Sequence, residues 1–371
     1  MRQLDRNVTF FAALALGLGS TALGQASWHL AYPPQSPPVL GFWGAAFDEV
    51  HGQALLLFPR GPSANQAWRW NGSAWSQLIG QLPPARSDSY VAWDAVRQRV
   101  VVFGGRSASS GQFLQDLWEW DGAVWQQQFA SMPPPRDSAA LAFDRTRGVL
   151  VMFGGWNGSV PLNDTWQWNG STWSGTNPMV RPPGREQAAM AFDPTTQRVL
   201  LYGGQANAPA GFVVFNDTWS WNGTTWQQHF PATPPFYRKT PAMVADLARS
   251  RVVLFGGSTF DFQTWEWDGS EWHASNPGSP GPRWSPIAVY DTDRREVMLH
   301  GGESTSTGAS NDTWLYRTAS PATAVAFGAG CAGSAGVPVL ANATYSLPWI
   351  GDTVRTRVSN LAPGALGAVF V

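Results

Sequence analysis

The stretch WQWNGSTW, residues 166–173, decides the fold because similar copies recur along the chain. Its pattern is W-x-W-[N/D]-G-x-x-W, and the other copies lie at residues 68–75, 118–125, 219–226 and 265–272. Tryptophans on both sides of a turn sequence indicate two short antiparallel strands joined by a hairpin. The chain therefore repeats one β-unit about every 50 residues.

Two further landmarks precede this hairpin in each unit. An aspartate ends an apolar strand at Asp48, Asp94, Asp144, Asp193, Asp246 and Asp291. A second apolar strand ends in Gly-Gly at 104–105, 154–155, 203–204, 256–257 and 301–302, whereas the first unit has Phe58-Pro59-Arg60-Gly61 instead. Four strands per unit, named a to d in chain order, and this repeat length predict the blades of a β-propeller.

The turn sequence also predicts how strands c and d pair. Asn169-Gly170 is expected to form a two-residue type I′ turn, which would place Trp166 opposite Trp173. Residues two apart on a strand share a sheet face, so the tryptophans of each unit are expected to pack together between neighbouring blades.

The sixth unit lacks strand d, since Trp314 is followed by Leu-Tyr-Arg without the turn or the final tryptophan. The missing piece lies at the other end of the chain, where WHLAYPP, residues 28–34, matches the segments that follow the turn elsewhere. We therefore predict an all-β, six-bladed propeller over residues 25–318, in which the N-terminal strand closes the last blade beside Trp314. Closure of this kind removes exposed sheet edges.

The apolar strand, the Gly-Gly strand and the tryptophan strand together resemble the kelch repeat, from residue 28 to about 317. The resemblance implies a propeller of the galactose oxidase/kelch-like superfamily, of a secreted bacterial type. It leaves the activity open, because that scaffold serves oxidases, isomerases and many binding proteins. The copper oxidases of this superfamily need a cysteine linked to a tyrosine and two histidines, whereas Cys331 lies beyond the repeats and the five histidines are scattered. We expect neither a metal nor another cofactor.

The two ends of the chain differ from the repeats. Arg2 and Arg6 precede an apolar run at 8–18 and then small residues, which predicts a signal peptide over residues 1–24 and secretion to the periplasm or outside the cell. That run is too short to cross a bilayer, so no membrane span is expected. The landmarks stop after residue 318, and residues 319–371 are expected to form a small β-rich module that is incomplete at Val371. The role of Cys331, the single cysteine, stays open.

Composition restricts the partner. Lys and Arg total 24 against 25 Asp and Glu, so the chain has no general attraction for nucleic acid or an anionic membrane. High glycine, proline and tryptophan contents with 13% charged residues favour short strands and turns. We expect a monomer.

Candidate ligand contacts lie on one face of the ring. Strands of a blade alternate in direction, so the b–c loops and the loops between blades open on the same face, and loops on a rigid scaffold commonly bind ligands. Five of the six inter-blade loops there end in an arginine before strand a, at Arg86, Arg136, Arg185, Arg238 and Arg283. These arginines either form an anion-binding ring at the channel mouth or anchor their own blades. Trp156, in a b–c loop, is a further candidate contact.

Two functions follow as expectations. The first is a secreted, non-catalytic propeller that binds an extracellular glycan or protein through this face. The alternative is a sugar-acid isomerase or mutarotase, or another carbohydrate-active kelch enzyme, which needs acid and base groups with an arginine for the substrate carboxylate. Glu186 and Glu303 have no counterpart in other blades and are the catalytic candidates, whereas Asp164, Asp217 and Asp312 recur and are expected to cap turns.

Overall fold

A computed structural model describes residues 26–38, 44–57, 66–208, 211–258, 261–275, 278–304 and 308–318, and the backbone of two strands at 339–342 and 356–359. The chain divides into two compact units. One spans Ala26–Arg317, and the other includes Thr318–Val371. The predicted signal peptide over residues 1–24, Cys331 and most of the predicted C-terminal module lie outside the described residues.

Within the described residues all regular secondary structure is β, and no helix is long and apolar enough to cross a membrane. The first strand, β1 (Ala26–Ala31), belongs to the last blade. Blade 1 consists of β2 (Gly44–Asp48), β3 (Gln53–Leu57), β4 (Ala67–Trp70) and β5 (Trp75–Gln77). Blade 2 follows, with β6 (Arg86–Ser87), β7 (Tyr90–Asp94), β8 (Arg99–Phe103), β9 (Arg106–Ser107), β10 (Leu117–Trp120) and β11 (Trp125–Gln128), where β6 and β9 form a separate ribbon.

The remaining blades repeat this order. Blade 3 consists of β12 (Ala140–Asp144), β13 (Val149–Phe153), β14 (Thr165–Trp168) and β15 (Trp173–Thr176). Blade 4 has β16 (Ala189–Asp193), β17 (Arg198–Tyr202), β20 (Thr218–Trp221) and β21 (Trp226–His229), with a b–c ribbon of β18 (Gln205–Ala208) and β19 (Gly211–Val214). Blade 5 has β22 (Ala242–Asp246), β23 (Arg251–Phe255), β24 (Thr264–Trp267) and β25 (Trp272–Ser275). Blade 6 has β26 (Ile287–Asp291), β27 (Glu296–His300) and β30 (Thr313–Thr318), with a ribbon of β28 (Glu303–Ser304) and β29 (Gly308–Ala309). In the second unit β31 (Val339–Asn342) pairs antiparallel with β32 (Thr356–Ser359).

The ring closes as predicted. Strand β1 lies beside β30, so the sheet of blade 6 has the order β1-β30-β27-β26. The inner strands β2, β7, β12, β16, β22 and β26 contact one another in a complete circle. Six apolar clusters, one at each junction between neighbouring blades, form the core.

A hydrogen bond from an indole to a threonine ties neighbouring blades together. Trp28 Nε1 of the closing strand donates to Thr264 Oγ1 of blade 5 at 2.7 Å, and the final tryptophans of three other blades donate in the same way at 2.9 Å: Trp75 to Thr313, Trp226 to Thr165 and Trp272 to Thr218. Blades 2 and 3 differ, because the position of the threonine holds Ala67 and Leu117 in the preceding blade. In those two blades the indole nitrogens, of Trp125 and Trp173, are buried without a partner.

The hairpin register differs from the predicted one. Trp168, not Trp166, lies opposite Trp173, so the loop has four residues instead of two. Asn169 Oδ1 accepts the amide hydrogens of Ser171 and Thr172, both at 2.9 Å, and this side-chain capping spans the longer loop. Trp166 lies opposite Gly175. The shared face is nevertheless as predicted, since Trp166, Trp168 and Trp173 pack against the same cluster of blade 2.

The missing threonine in blade 1 gives a test of this inter-blade bond. Ala67→Thr is expected to raise the free energy of unfolding by about 1 kcal/mol, because its hydroxyl would satisfy the buried indole of Trp125. The matched control is Ala67→Val, which has the same shape without the hydroxyl and should bring no such gain. Urea unfolding of the three proteins measures the difference. Equal stability of the threonine and valine variants would contradict the role given to the bond.

Candidate functional site

The arginines expected at the channel mouth are buried, and each binds an aspartate of its own blade. Arg136 Nη1 and Nη2 donate to Asp164 Oδ1 and Oδ2 at 2.6 and 2.8 Å. Its Nη1 also donates to Gly154 O at 3.0 Å and its Nε to Pro134 O at 3.1 Å. The other pairs are Arg86–Asp116, Arg185–Asp217, Arg283–Asp312 and Arg238–Asp261, the last through one carboxylate oxygen.

Each of these aspartates also accepts a hydrogen bond from a tryptophan of strand c in its own blade. Trp166 Nε1 donates to Asp164 Oδ2 at 2.7 Å, and equivalent bonds come from Trp118, Trp219, Trp265 and Trp314. Burial opposes ionisation of Asp164, but the Arg136 guanidinium outweighs it and holds the pKa of that carboxyl below its usual range. Each of these blades thus contains a partly buried Arg–Asp pair, whose aspartate lies just before strand c.

The Gly-Gly dipeptides allow the next blade to approach this pair. Gly154 and Gly155 have φ of +67° and +99°. A Cβ on Gly154 would lie 2.5 Å from Arg185 O, and one on Gly155 would lie 2.7 Å from Asp137 O. Gly155 N donates to Arg185 O at 2.9 Å. Only glycine fits there, because the arginine segment of the neighbouring blade passes directly over the dipeptide.

The expected ring of open, anion-binding arginines is therefore not formed. All five guanidinium groups are buried and bound to carboxylates, so the contacts fit the alternative interpretation, in which each arginine anchors its own blade. The expectation that Asp164, Asp217 and Asp312 cap turns is incomplete for the same reason, since these residues supply three of the partner carboxylates.

A ring of strained residues lies next to these arginines. The residue two positions after each arginine has φ between 51° and 60°, although none is glycine: Asp88, Ser138, Gln187, Thr240 and Ser285, here called the mouth ring. Ser138 N donates to Asp88 O at 3.3 Å, Gln187 N to Ser138 O at 2.7 Å and Thr240 N to Gln187 O at 2.8 Å. Non-glycine residues in this conformation cost on the order of 1–3 kcal/mol each and concentrate at functional sites.

The positions around the mouth ring break the symmetry of the scaffold. The residue after each arginine is Ser87, Asp137, Glu186, Lys239 or Trp284, and the residue after each Gly-Gly is Arg106, Trp156, Gln205, Ser258 or Glu303. Backbone bridges join the two positions in blades 2, 3, 4 and 6. A repeated backbone thus presents a different pair of side chains in each blade, as recognition of an asymmetric ligand requires.

A cavity of about 160 Å³ lies at the mouth ring, lined by Asp88, Ser138, Gln187, Thr240 and Tyr90 among others. Tyr90 is only 6% exposed. Its Oη has no hydrogen-bond partner of normal geometry among the described residues. Burial raises the pKa of Tyr90 well above its usual range, although the Ala139 amide opposes this, so the phenol is neutral.

Three carboxyl groups influence one another beside this cavity. Glu186 is half-buried and accepts a hydrogen bond from Gln205 Nε2 at 3.0 Å. Burial raises the pKa of Glu186, and the carboxylates of Asp137 and Asp88 add to the rise. Burial and Asp88 also raise the pKa of Asp137, against the opposing effect of Arg106, whose Nε donates to Asp137 Oδ2 at 2.6 Å. Blades 2, 3 and 4 therefore contribute an acidic side to the mouth.

The exposed aromatic residues of the described chain all lie on this face. They are Tyr32, Phe129, Phe212, Phe230, Phe236, Tyr237 and Phe262, in b–c loops or in the loops between blades. Large apolar side chains exposed in the opposite turns are valines: Val50, Val96 and Val124. Five of the aromatic residues belong to blades 4 and 5, and four of these are here called the aromatic group: Phe212, Phe236, Tyr237 and Phe262. Exposed apolar surface of this kind marks interaction sites.

The other candidate residues of the sequence have mixed placements. Glu186 lies beside the cavity, Trp156 bridges to Asp137, and Glu303 bridges to Trp284 on blade 6. Their proposed catalytic and binding roles stay predictions. His300 is buried, and burial lowers its pKa to about 4, which fits a structural role. Among the described residues no three His, Cys, Asp or Glu side chains form a metal-binding group.

Sequence reasoning missed Tyr90 and the mouth ring. Tyr90 opens strand a at a position that holds alanine in blades 3, 4 and 5, so its departure from the repeat was the available signal. The mouth-ring residues have little in common as residue types, and their shared left-handed backbone is visible only in the structure.

Fold and site together define a six-bladed kelch-type propeller with a differentiated channel mouth. Residues 63–257 match the KLHDC2/KLHL20/DRC7 Kelch-repeats domain, and because the match covers more than half of the chain, the chain belongs to this family. No curated protein matches it. Among 419 matching solved chains is a structure of YjhT, with a TM-score of 0.59 and 15% identity, covering 76% of this chain and 95% of that one. At this identity the likeness is one of fold.

The Arg–Asp pair of blade 3 can be tested by removing its cation. Arg136→Met is expected to lower the free energy of unfolding by about 3 kcal/mol, because the carboxylate of Asp164 would lose its partner in a partly buried position. Arg99→Met is the control, since Arg99 donates only to its neighbour Gln98 O at an exposed site, and it should change stability by less than about 0.5 kcal/mol. Urea unfolding measures both. Equal effects would contradict a structural role for Arg136.

Proposed function

We propose that this chain is a non-catalytic binding propeller whose channel mouth and surrounding loops recognise an extracellular protein. The observation that carries the proposal is the concentration of exposed aromatic side chains on one face, around a mouth whose side chains differ from blade to blade. The extracellular location rests on the predicted signal peptide, so it is part of the proposal.

The aromatic group favours a protein over a glycan as the partner. Phe212 is 67% exposed on the b–c ribbon of blade 4, and Phe236 packs on Tyr237 with ring centroids 4.1 Å apart. Phe262 projects from the next b–c loop. Several apolar rings on separate loops suit a broad contact with apolar side chains, and aromatic anchors of this kind dominate protein interfaces.

The mouth ring supports the same site. Its five positions share one left-handed backbone conformation and yet have different side chains, as is typical of a binding surface built on a repeated scaffold. Gln187 borders the cavity. The mouth ring is held by hydrogen bonds between backbone atoms, so it does not depend on the side chain of Gln187.

The enzyme alternative has less support. A sugar-acid isomerase needs a guanidinium free for the substrate carboxylate, and the five arginines of this face are bound to aspartates. Arg106, which follows the Gly-Gly dipeptide of blade 2, is bound to Asp137. Glu186 has the raised pKa that an acid would use, but no such partner arginine accompanies it among these contacts.

A matched pair of glutamines in blade 4 tests the site. Gln187 at the mouth has φ of +60°, and Gln197 in the opposite a–b turn has φ of +56°. Both Gln→Gly changes should leave the free energy of unfolding within about 1 kcal/mol of the wild type, because glycine tolerates this conformation. Peptides selected from a display library against the wild type should bind Gln187→Gly at least about tenfold more weakly and Gln197→Gly unchanged.

A second pair of variants tests the aromatic group with the same peptides. Phe212→Ser with Phe236→Ser should abolish binding, whereas Val96→Ser with Val124→Ser on the opposite face should not. A glycan array serves as the competing arm. Binding of glycans without binding of peptides, or loss of binding in the Gln197 or valine variants, would refute the proposal.

A further inference from the structure

We propose that the end of the channel opposite the mouth ring binds a single phenolic ring. The site is a cavity of about 160 Å³ between the inner strands and the a–b turns, to which blades 1, 2, 3, 5 and 6 contribute. Its lining residues differ from those of the mouth ring, so this site does not depend on the protein partner proposed for the mouth. Three observations carry the proposal: a missing aromatic side chain, the size of the cavity and an ion pair beside it.

One position of strand a is aromatic in every blade except blade 5. It is the residue before the aspartate that ends the strand, and the aromatic residues there are Phe47, Trp93, Phe143, Phe192 and Tyr290. In blade 5 the same position holds Ala245. Four of the aromatic residues, all except Phe192, line the cavity together with Ala245 and its neighbours Val244 and Leu247. The cavity thus borders the blade in which the aromatic side chain is missing.

The aromatic walls of this cavity are held in place by packing. Phe47, Phe143 and Tyr290 are at most 9% exposed, and each belongs to the apolar cluster at a junction between blades. The Tyr290 hydroxyl accepts the amide hydrogen of Ala248 at 3.0 Å, which helps to fix the orientation of its ring. A preformed apolar cavity of about 150 Å³ is large enough for one benzene molecule. The space here therefore fits one six-membered ring.

An ion pair gives the cavity a polar side. Glu49 and Arg145 directly follow the aspartates that end strand a in blades 1 and 3, and both line the cavity. Arg145 Nη2 donates to Glu49 Oε1. This bond uses one nitrogen and one oxygen, whereas a guanidinium has five N–H donors and a carboxylate accepts at several lone pairs. A ligand hydroxyl can therefore accept from Arg145 and donate to Glu49 while the pair stays intact.

The balance of polar and apolar groups favours a phenol over other six-membered rings. The ion pair has no net charge, so it does not compensate a charged ligand group that leaves water. A sugar ring would place several hydroxyls against Phe, Trp, Val and Leu side chains, where unsatisfied hydroxyls are costly. A phenol has one hydroxyl for the ion pair and an aromatic ring for the aromatic walls. A free phenolic compound and a tyrosine side chain share this chemistry.

The probes are phenol, fluorobenzene as the ring without a hydroxyl, methyl glucoside as the sugar arm and N-acetyl-tyrosinamide as the tyrosine arm. Two-dimensional NMR of the indole N–H groups follows Trp93, whose signal is assigned with Trp93→Phe. Phenol should shift this signal with a dissociation constant of about 1 mM or below, and bind more tightly than fluorobenzene. In Glu49→Leu with Arg145→Met, which removes the ion pair, the preference for phenol over fluorobenzene should fall at least about tenfold.

A second variant fills the cavity. Ala245→Phe supplies the aromatic side chain that the other blades have, and it should weaken phenol binding at least about tenfold. Ala123→Phe, the same change at an exposed turn of blade 2, should not alter phenol binding, and neither should Gln187→Gly at the mouth. Urea unfolding checks that each variant folds. If phenylalanine prevents folding at position 245, Ala245→Leu provides the same test with a smaller side chain.

An unchanged Trp93 signal in the presence of phenol, or undiminished phenol binding by the filled variant, would overturn the proposal. So would a preference for phenol that survives removal of the ion pair, or binding of methyl glucoside in place of phenol. The tyrosine arm identifies the source of the ring. Tighter binding of N-acetyl-tyrosinamide than of phenol would support a tyrosine side chain, and the reverse order would support a free phenolic compound.

Discussion

The partly buried pair between an arginine before strand a and an aspartate before strand c is the interaction on which the rest of this face depends. In blade 3 it fixes Arg136 to Asp164, and the same guanidinium holds the carbonyl of Gly154. One side chain thus connects the inter-blade loop, the end of strand b and the start of strand c. Because charges out of water are costly when unpaired, both partners must be present together, and five blades contain both.

This scaffold leaves its neighbours free to differ. The arginine, the aspartate and the Gly-Gly dipeptide hold the backbone in place, so the side chains of the residues directly beside them are not needed for the fold. They range from Asp137 and Glu186 on one side of the mouth to Lys239 and Trp284 on the other. The backbone also maintains the strain in the mouth ring. Hydrogen bonds between the backbones of neighbouring blades can hold a conformation that the residue types themselves disfavour.

Much of the fold could be predicted from the sequence because its signals are local or periodic. The repeat length gave the blades, and the missing turn after Trp314 with the surplus WHLAYPP gave the closing strand. The register failed where Asn169 caps the loop with its side chain instead of adopting a left-handed backbone. The sequence left the role of the arginines open, because each partner aspartate lies across a b–c loop of variable length, from Arg238–Asp261 to Arg185–Asp217, and no fixed spacing identifies the pair. The sequence shows that Tyr90 differs from the repeat. It could not show that the Tyr90 hydroxyl has no hydrogen-bond partner of normal geometry among the described residues.

Hydrogen exchange tests most directly whether the Arg–Asp pair holds the mouth. In a variant with Arg136→Met and Asp164→Leu, which removes both charges of one blade, the amides of Asp137 and Gln187 should exchange at least about tenfold faster. These amides donate to Trp156 O and Ser138 O at the mouth. The amide of Val151, in the buried strand β13, should keep its protection. Unchanged protection of Asp137 and Gln187, or an equal loss at Val151, would contradict the account.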